Sequence, residues 1–387
     1  MIMCGTCLHR AAATAHRGRK GPTGMARDAE AMSGDAAGAD RDTRLRALTD
    51  AAATIGTDPF LVQGAGGNVS IKLDEIMWIK ASGTWLADAA TRDILVPVAL
   101  PPLRRAIASG DPALEHAESF VIDGLNASGL RPSIETSMHA ALHHPVVLHV
   151  HSVDAIAVAV RADAKALLDE KLDGLRWAMV PYRRPGLPLT RAIADAAPDG
   201  GADVLVLANH GLVVGADDAA SAQRLLAEVV DRLAVTPRPA PTADPAAVSA
   251  IVAGHGFRLP TDRAAHAIAA DRASLAIAER GVLYPDHVVF LGGAPLAIDR
   301  HERLEPALQR WQAAGYPRPK WVVVRGMGIA LAEDIARGGD EMARCLADVA
   351  ARIPANCALS FLKPEDIAAL TDWDAEKYRQ QLAKMLN

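Results

Sequence analysis

The sequence predicts an α/β protein built from a larger and a smaller α/β part. Three observations carry that prediction. Short, β-rich apolar runs alternate with segments of helical period along the chain. Half of the 387 residues are apolar and 22% are charged, the profile of a globular chain with a well-buried core. The stretch VTPRPAPTADPA at 235–246 has four prolines and no apolar period, so it reads as a stiff linker between 42–234 and a smaller C-terminal domain at 247–387.

In chain order, residues 1–41 are expected to be a disordered or non-native N-terminal extension. Arg10, Arg17, Arg19, Lys20 and Arg27 precede the first acidic residue, a bias shared by transit peptides and by translation upstream of a true start; Met25 and Met32 are alternative starts. A helix is expected from near Asp42, where Leu45, Leu48, Ala51, Ala52 and Ile55 recur at helical spacing before Gly56. Val69–Leu73 and Ile76–Ala81 flank Asp74-Glu75 as a hairpin. Helical segments follow near Leu103–Ala108 and Ala117–Asn126. A helix from Ser133 ends before Pro145, where VVLHV opens a strand. Asp203–Ala216 reads as one strand leading into a helix from Asp218 to about Ala234. Past the linker, helical patterns near 247–253 and 262–280 and strands at 287–291 and 320–326 precede C-terminal helices.

The formal net charge of −5 offers no positive field for nucleic acid, and no polybasic block suits an anionic membrane. With no run of eighteen apolar residues, nothing in the sequence is expected to span a membrane. Cys4, Cys7, Cys345 and Cys357 are too few and too scattered for a disulfide framework, which fits a cytoplasmic location; Cys4-Gly-Thr-Cys7 has metal spacing but no second pair. The expected partners are small molecules.

The chemistry concentrates in ETSMHAALHHPVVLHVHS, residues 135–152. On a helix, Glu135 and His139 share a face. On a strand, His149 and His151 share one face while Val146, Leu148 and Val150 take the other. His143 and His144 sit at a helix end, where the dipole alone favours them. A lone histidine on an apolar strand is more often a satisfied core residue, but two on one strand face beside a carboxylate and histidine pair point to a metal. His210, which follows the apolar run Val204–Leu207 at a strand end, is the best candidate for a third ligand. Imidazole ligands suit Zn2+, and also Mn2+, Fe2+ or Co2+. A cation held by neutral imidazoles keeps its full charge and can stabilise an enolate or enediolate oxygen, with Glu135 as the acid or base.

A second constellation is Gln63-Gly64-Ala65-Gly66-Gly67-Asn68-Val69-Ser70, whose backbone amides can approach an anion beside the side chains of Asn68 and Ser70. Ala81-Ser82-Gly83-Thr84 offers another such turn, and Ser133 begins the helix that bears Glu135. No helix or lysine directly follows the glycines, so this is neither a Walker nor a dinucleotide pattern.

Taken together, GAGGNVSIK, the KASGT turn, Glu135 followed by His139 and His149-Val150-His151, and NHGLVVG resemble the class II aldolase/adducin family over residues 42–235. The resemblance implies a class II aldolase-like α/β/α three-layer fold with a central, mainly antiparallel sheet, and a homo-oligomeric, tetrameric zinc enzyme acting on a sugar or sugar phosphate. It implies His149, His151 and His210 as metal ligands, Glu135 as catalytic acid/base, Gly67, Asn68, Ser82, Gly83 and Ser133 as the phosphate site, and His139 as a support beside it. Reversible retro-aldol cleavage of a ketose or ketose phosphate through a metal-stabilised enediolate is the implied reaction. Epimerase, dehydratase and decarboxylase members use the same site, and adducin-like members are non-catalytic interaction proteins. Two departures stand out. Ile134 replaces a serine that the fuculose-phosphate member places before its glutamate. No tyrosine occupies Ala164–Arg176, and Tyr182 matches a different place, which leaves the proton donor to the aldehyde oxygen unassigned. The segment PKWVVVRGMGIALAEDIARGGDEM and the ending TDWDAEKYRQQL look like the part that comes after the aldolase module in bifunctional rhamnulose-phosphate aldolase/dehydrogenase proteins.

Overall fold

The structure, a computed structural model, describes residues 22–198 and 201–371, with side chains from residue 38 onward. Cys4 and Cys7 lie outside the described residues. The chain divides into Met1–Arg44 and Leu45–Asn387, and the second unit holds both sheets. One boundary differs from expectation: α1 runs over Pro22–Gly56 rather than from Asp42. Proline is tolerated at a helix start, no further proline interrupts the run, and its many alanines favour helix, so nothing local stops it earlier.

A seven-stranded sheet organises the first part of that unit. Its strands are β1 (Asn68–Leu73), β2 (Ile76–Lys80), β3 (Leu95–Ala99), β4 (Val146–Val150), β5 (Trp177–Val180), β6 (Val204–Leu207) and β7 (Gly211–Ala216), in the order β3-β2-β1-β4-β7-β6-β5. All neighbours are antiparallel except β5 and β6. The β1–β2 hairpin turns at Asp74, whose φ of 55° is one of the few left-handed values outside glycine.

Helices cover both faces. On one, the last turns of α1 pack with α4 (Val153–Ala159), α5 (Ala164–Lys171) and α7 (Ala219–Leu233) over Val69, Ile71, Val146, Leu148, Val150 and Val214. On the other, α2 (Leu100–Ser109), α3 (Thr136–Ala141) and α6 (Leu187–Ala196) cover Met77, Ile79, Val147, Leu205 and Val213. The expected α/β/α layering with a mainly antiparallel centre is present, and period-two alternation along β4 sends Val146, Leu148 and Val150 to one layer and Val147 to the other.

The chain beyond the Pro-rich stretch forms α8 (Pro245–Val252), β8 (Phe257–Arg258), α9 (Ala267–Ala270), α10 (Arg272–Arg280), β9 (Leu296–Ile298), α11 (Leu304–Ala313), β10 (Trp321–Val324), β11 (Gly328–Ala332), α12 (Gly339–Arg352) and α13 (Pro364–Thr371). Its four strands order as β8-β11-β10-β9. Where the sequence suggests a boundary at 235–246, contacts join both sides into one unit. Helix α4 is the reason. Ala155, Val158 and Ala159 belong to the core under the large sheet, whereas Val153, Ile156, Ala157 and Val160 pack with Trp321, Leu331 and Leu346 beneath the small one. Arg352 reaches Asp154 at 2.9 Å. The proline stretch is pinned as well: Arg238 donates to Asp271, Ser274 and the carbonyls of Ala350 and Ile353.

Several expected elements differ. Ala117–Asn126 forms only two short 3-10 turns, in which Ala117 is the single buried residue, so no apolar face stabilises a longer helix. The helix expected from Ser133 starts at Thr136. Asp203–Ala216 is two antiparallel strands, because Asn209 adopts a left-handed φ of 54° and turns the chain back at Ala208–His210. His287–Leu291 is a wide π-type helical turn, not a strand; all five residues are buried, and an unbroken apolar run does not distinguish the two states. Residues 262–280 break at Asp271, whose carboxylate caps α10. The strand expected at 320–326 ends at Val324, and Arg325–Gly328 is the β10–β11 turn, with Arg325 paired to Glu279 and Asp299. No helix among the described residues is long and apolar enough to cross a membrane.

Candidate functional site

Strand β4 delivers His149 at its end and His151 just past it, and the turn after β6 delivers His210 beside them because β7 pairs with β4. The three rings converge, with centroids 4.9, 5.0 and 5.2 Å apart, and all three are buried. One nitrogen from each lies within 4.8 Å of the others. Gly211 permits this close approach. A Cβ there would lie 2.4 Å from the Val150 carbonyl and 3.2 to 3.3 Å from the rings of His149 and His151.

Whether a cation fits can be judged from the hydrogen bonds. His149 Nδ1 is 3.0 Å from the Leu212 carbonyl, which only accepts, so Nδ1 carries the proton and Nε2 presents a lone pair. That lone pair faces His151 Nε2 at 3.1 Å and Glu135 Oε2 at 3.4 Å, while Glu135 Oε1 lies 3.5 Å from His210 Nε2. Electron-pair donors directed at one small region suit a cation. Burial lowers the basicity of His149, and more strongly that of His210, to about 3, which outweighs the opposing charge of Glu135. Such neutral imidazoles are the form a metal needs. Burial alone would raise the pKa of Glu135, but the positive charge that His149, His210 and His151 take up at low pH, with the Asn68 amide, holds it low, at about 2, so above that value it is a carboxylate.

Asn68 organises the rest. Its amide nitrogen donates to Glu135 Oε2 at 2.7 Å and to Ser133 Oγ at 3.2 Å, and its oxygen meets His139 Nε2. His139 Nδ1 contacts Ser70 Oγ at 2.8 Å. Glu135 and His139 therefore cooperate through Asn68 rather than along one helix face, since Glu135 precedes α3. Gly67, Asn68, Ser82, Gly83, Ser133, Glu135, His151 and His210 line one cavity of about 30 Å3. That space holds a water or an ion. Gly67 sits at a φ of 60°, where a Cβ would lie 2.8 Å from the His149 carbonyl. His143 is exposed, and His144 is instead bonded to Asp203 at 2.8 Å. Tyr182 packs beside Val282, Val288 and Leu362, away from this cavity.

Two lining residues, Lys80 and Asp286, are given no role by the sequence reading. Lys80, buried and donating to the Ala65 carbonyl at 3.1 Å, opens the KASGT turn, whose position next to the glycine loop was the available signal. Asp286 comes from beyond the Pro-rich stretch, with its carboxylate 2.8 Å from His151 Nδ1, and no local pattern distinguishes it.

Fold and site together define an α/β/α domain with a buried three-histidine cluster facing an ionised glutamate. Residues 46–236 match the family model described as the Class II Aldolase and Adducin N-terminal domain, and this part of the chain belongs to that family. An uncharacterized oxidoreductase, YuxG, of Bacillus subtilis strain 168 is 32% identical over 172 residues, 41% of this chain and 24% of that protein. The chain thus spans about a quarter of the length of that curated relative. Among solved structures, the N-terminal class II aldolase domain of a conserved protein from Thermoplasma acidophilum is 23% identical, covering 48% of this chain and 90% of that one, with a TM-score of 0.42. The L-fuculose-1-phosphate aldolase from Thermus thermophilus is 15% identical, covering 49% and 91%, with a TM-score of 0.35.

Proposed function

We propose that the protein is a divalent-metal-dependent aldolase, with zinc the favoured metal, that reversibly cleaves a ketose or ketose phosphate into a ketone fragment and an aldehyde. The observation that carries this reading is the convergence of His149, His151 and His210 on an ionised, buried Glu135. A cation held by the three imidazoles supplies Lewis-acid polarisation of the ketone fragment's oxygens. Glu135 takes the proton from, or returns it to, the carbon whose bond to the aldehyde forms and breaks. Asn68 orients that carboxylate, and Gly67, Asn68, Ser82, Gly83 and Ser133 receive the phosphate or the distal hydroxyls. The assembly expected is a homo-oligomer, with a tetramer favoured.

The test is metal analysis of purified protein, followed by incubation of the zinc-loaded form with a panel of ketoses and ketose phosphates. Aldehyde release supports cleavage, whereas an epimer, water loss or carbon dioxide assigns the same site to another reaction of the family. Less than about a tenth of an equivalent of metal after zinc loading refutes the metal site. Glu135→Gln should keep the metal and lose turnover by about 100-fold or more; activity within tenfold of the parent removes the role given to Glu135.

A further inference from the structure

The metal centre implied by the three histidines extends past the family domain. Asp286 stands 135 residues after His151, on the far side of the Pro-rich stretch, yet its carboxylate lies 2.8 Å from His151 Nδ1 with both side chains nearly excluded from solvent. A carboxylate beside one imidazole nitrogen keeps the proton there and leaves the other nitrogen as a lone-pair donor. Here the other nitrogen is Nε2, which faces His149 Nε2 at 3.1 Å.

The surrounding structure is built to keep this contact. Gly66 approaches both groups: a Cβ there would lie 2.8 Å from His151 Nδ1 and 3.1 Å from Asp286 Oδ2. Any side chain at Gly66 would wedge into the pair, which gives this glycine a role distinct from anion binding. The segment bearing Asp286 is anchored through its neighbours in sequence. Tyr284 donates to Cys345 Sγ at 3.5 Å, and His287 is packed between the rings of Tyr284 and Trp321. The same segment also steadies the neighbour of His210, because the Asn209 amide donates to the Leu283 carbonyl at 2.8 Å.

We propose that Asp286 is a positioning residue of the metal centre: its carboxylate accepts the Nδ1 proton of His151 and so aims Nε2 at the cation. The chain beyond the Pro-rich stretch is then a component of the site. This rests on the metal reading above, and the test separates the two.

Full-length Asp286→Asn is compared with the parent for zinc affinity, by competition with a chromogenic chelator, and for the visible spectrum of the cobalt-loaded protein. The parent should bind about one equivalent of zinc. Asp286→Asn should bind it 10- to 100-fold more weakly, the loss typical when a carboxylate behind a metal-bound histidine is removed, with an altered cobalt spectrum. Asp286→Glu should recover part of the affinity. Asp286→Ser serves the same comparison if the asparagine variant does not fold. Zinc affinity within about threefold of the parent in the folded variant, with an unchanged cobalt spectrum, overturns the proposal even if thermal stability drops. A parent protein that takes up no metal overturns the metal reading, and the role of Asp286 with it.

Discussion

Lys72 is the penultimate residue of β1, 8% exposed, with its amine 2.7 Å from the His144 carbonyl. Burial first, and then the charge of Arg104, lower its pKa from 10.5 to about 7. Between those values the unfolded chain holds a proton that the folded chain does not, so stability rises with pH across that window. The penalty for charging Lys72 in place is fully present below pH 7 and gone above about 10.5. It amounts to roughly 4 to 5 kcal/mol at pH 6 and about 1 to 2 kcal/mol at pH 9.5. Lys72→Met keeps the apolar stem and removes the amine, at a cost of about 1 to 3 kcal/mol for the carbonyl left without its donor. The variant should therefore be more stable than the parent by about 1 to 4 kcal/mol at pH 6, with the advantage cut to at most about 1 kcal/mol, or reversed, by pH 9.5. Urea unfolding of both proteins at half-unit steps from pH 6 to 9.5 measures this. A stability difference that stays constant across the series refutes the assignment of a neutral buried lysine.

Three further predictions address the site and its frame. Gly211→Ala drives a methyl group into the Val150 carbonyl and two imidazoles; it should cost roughly 1 to 3 kcal/mol in urea unfolding and weaken zinc binding in a chelator titration. Ile156→Ala opens a cavity at a fully buried position of α4 and should cost about 2 to 5 kcal/mol. If α4 unites the two sheets, that loss appears as one shifted transition in calorimetry, and two separate transitions would show the sheets to be independent. Asn68→Leu removes the hydrogen bond that orients Glu135; kcat/KM on the substrate found by the panel should fall about 10- to 100-fold, in line with loss of a charged hydrogen bond.

Much of the frame was legible because local signals agreed with tertiary demand. Asp74-Glu75 between two apolar runs marks the β1–β2 hairpin, and Pro145 ends one element as β4 begins. Period-two spacing put His149 and His151 on one face, and the end of an apolar run pointed to His210. What stayed hidden had no local signature. The run from Val204 to Val214 is apolar on both sides of Asn209, so the reversal that aims His210 rests on one residue's backbone angle. The buried run His287–Leu291 suits a strand as well as a helix. The prolines at 235–246 suggested a spacer, but Arg238 clamps that stretch to α10 and α12. Asp286 is recruited only by the packing of α4 and α12, a long-range outcome that no window of sequence displays.

The turn carrying His210 has a consequence for how the protein matures. Asn209 is fastened to the carbonyls of Leu283 and Ser360, each at 2.8 Å. Synthesis proceeds from the amino end, so all three histidines are made well before either anchor. A nascent chain that ends before residue 283 carries every imidazole of the cluster and lacks the groups that hold the third one in place.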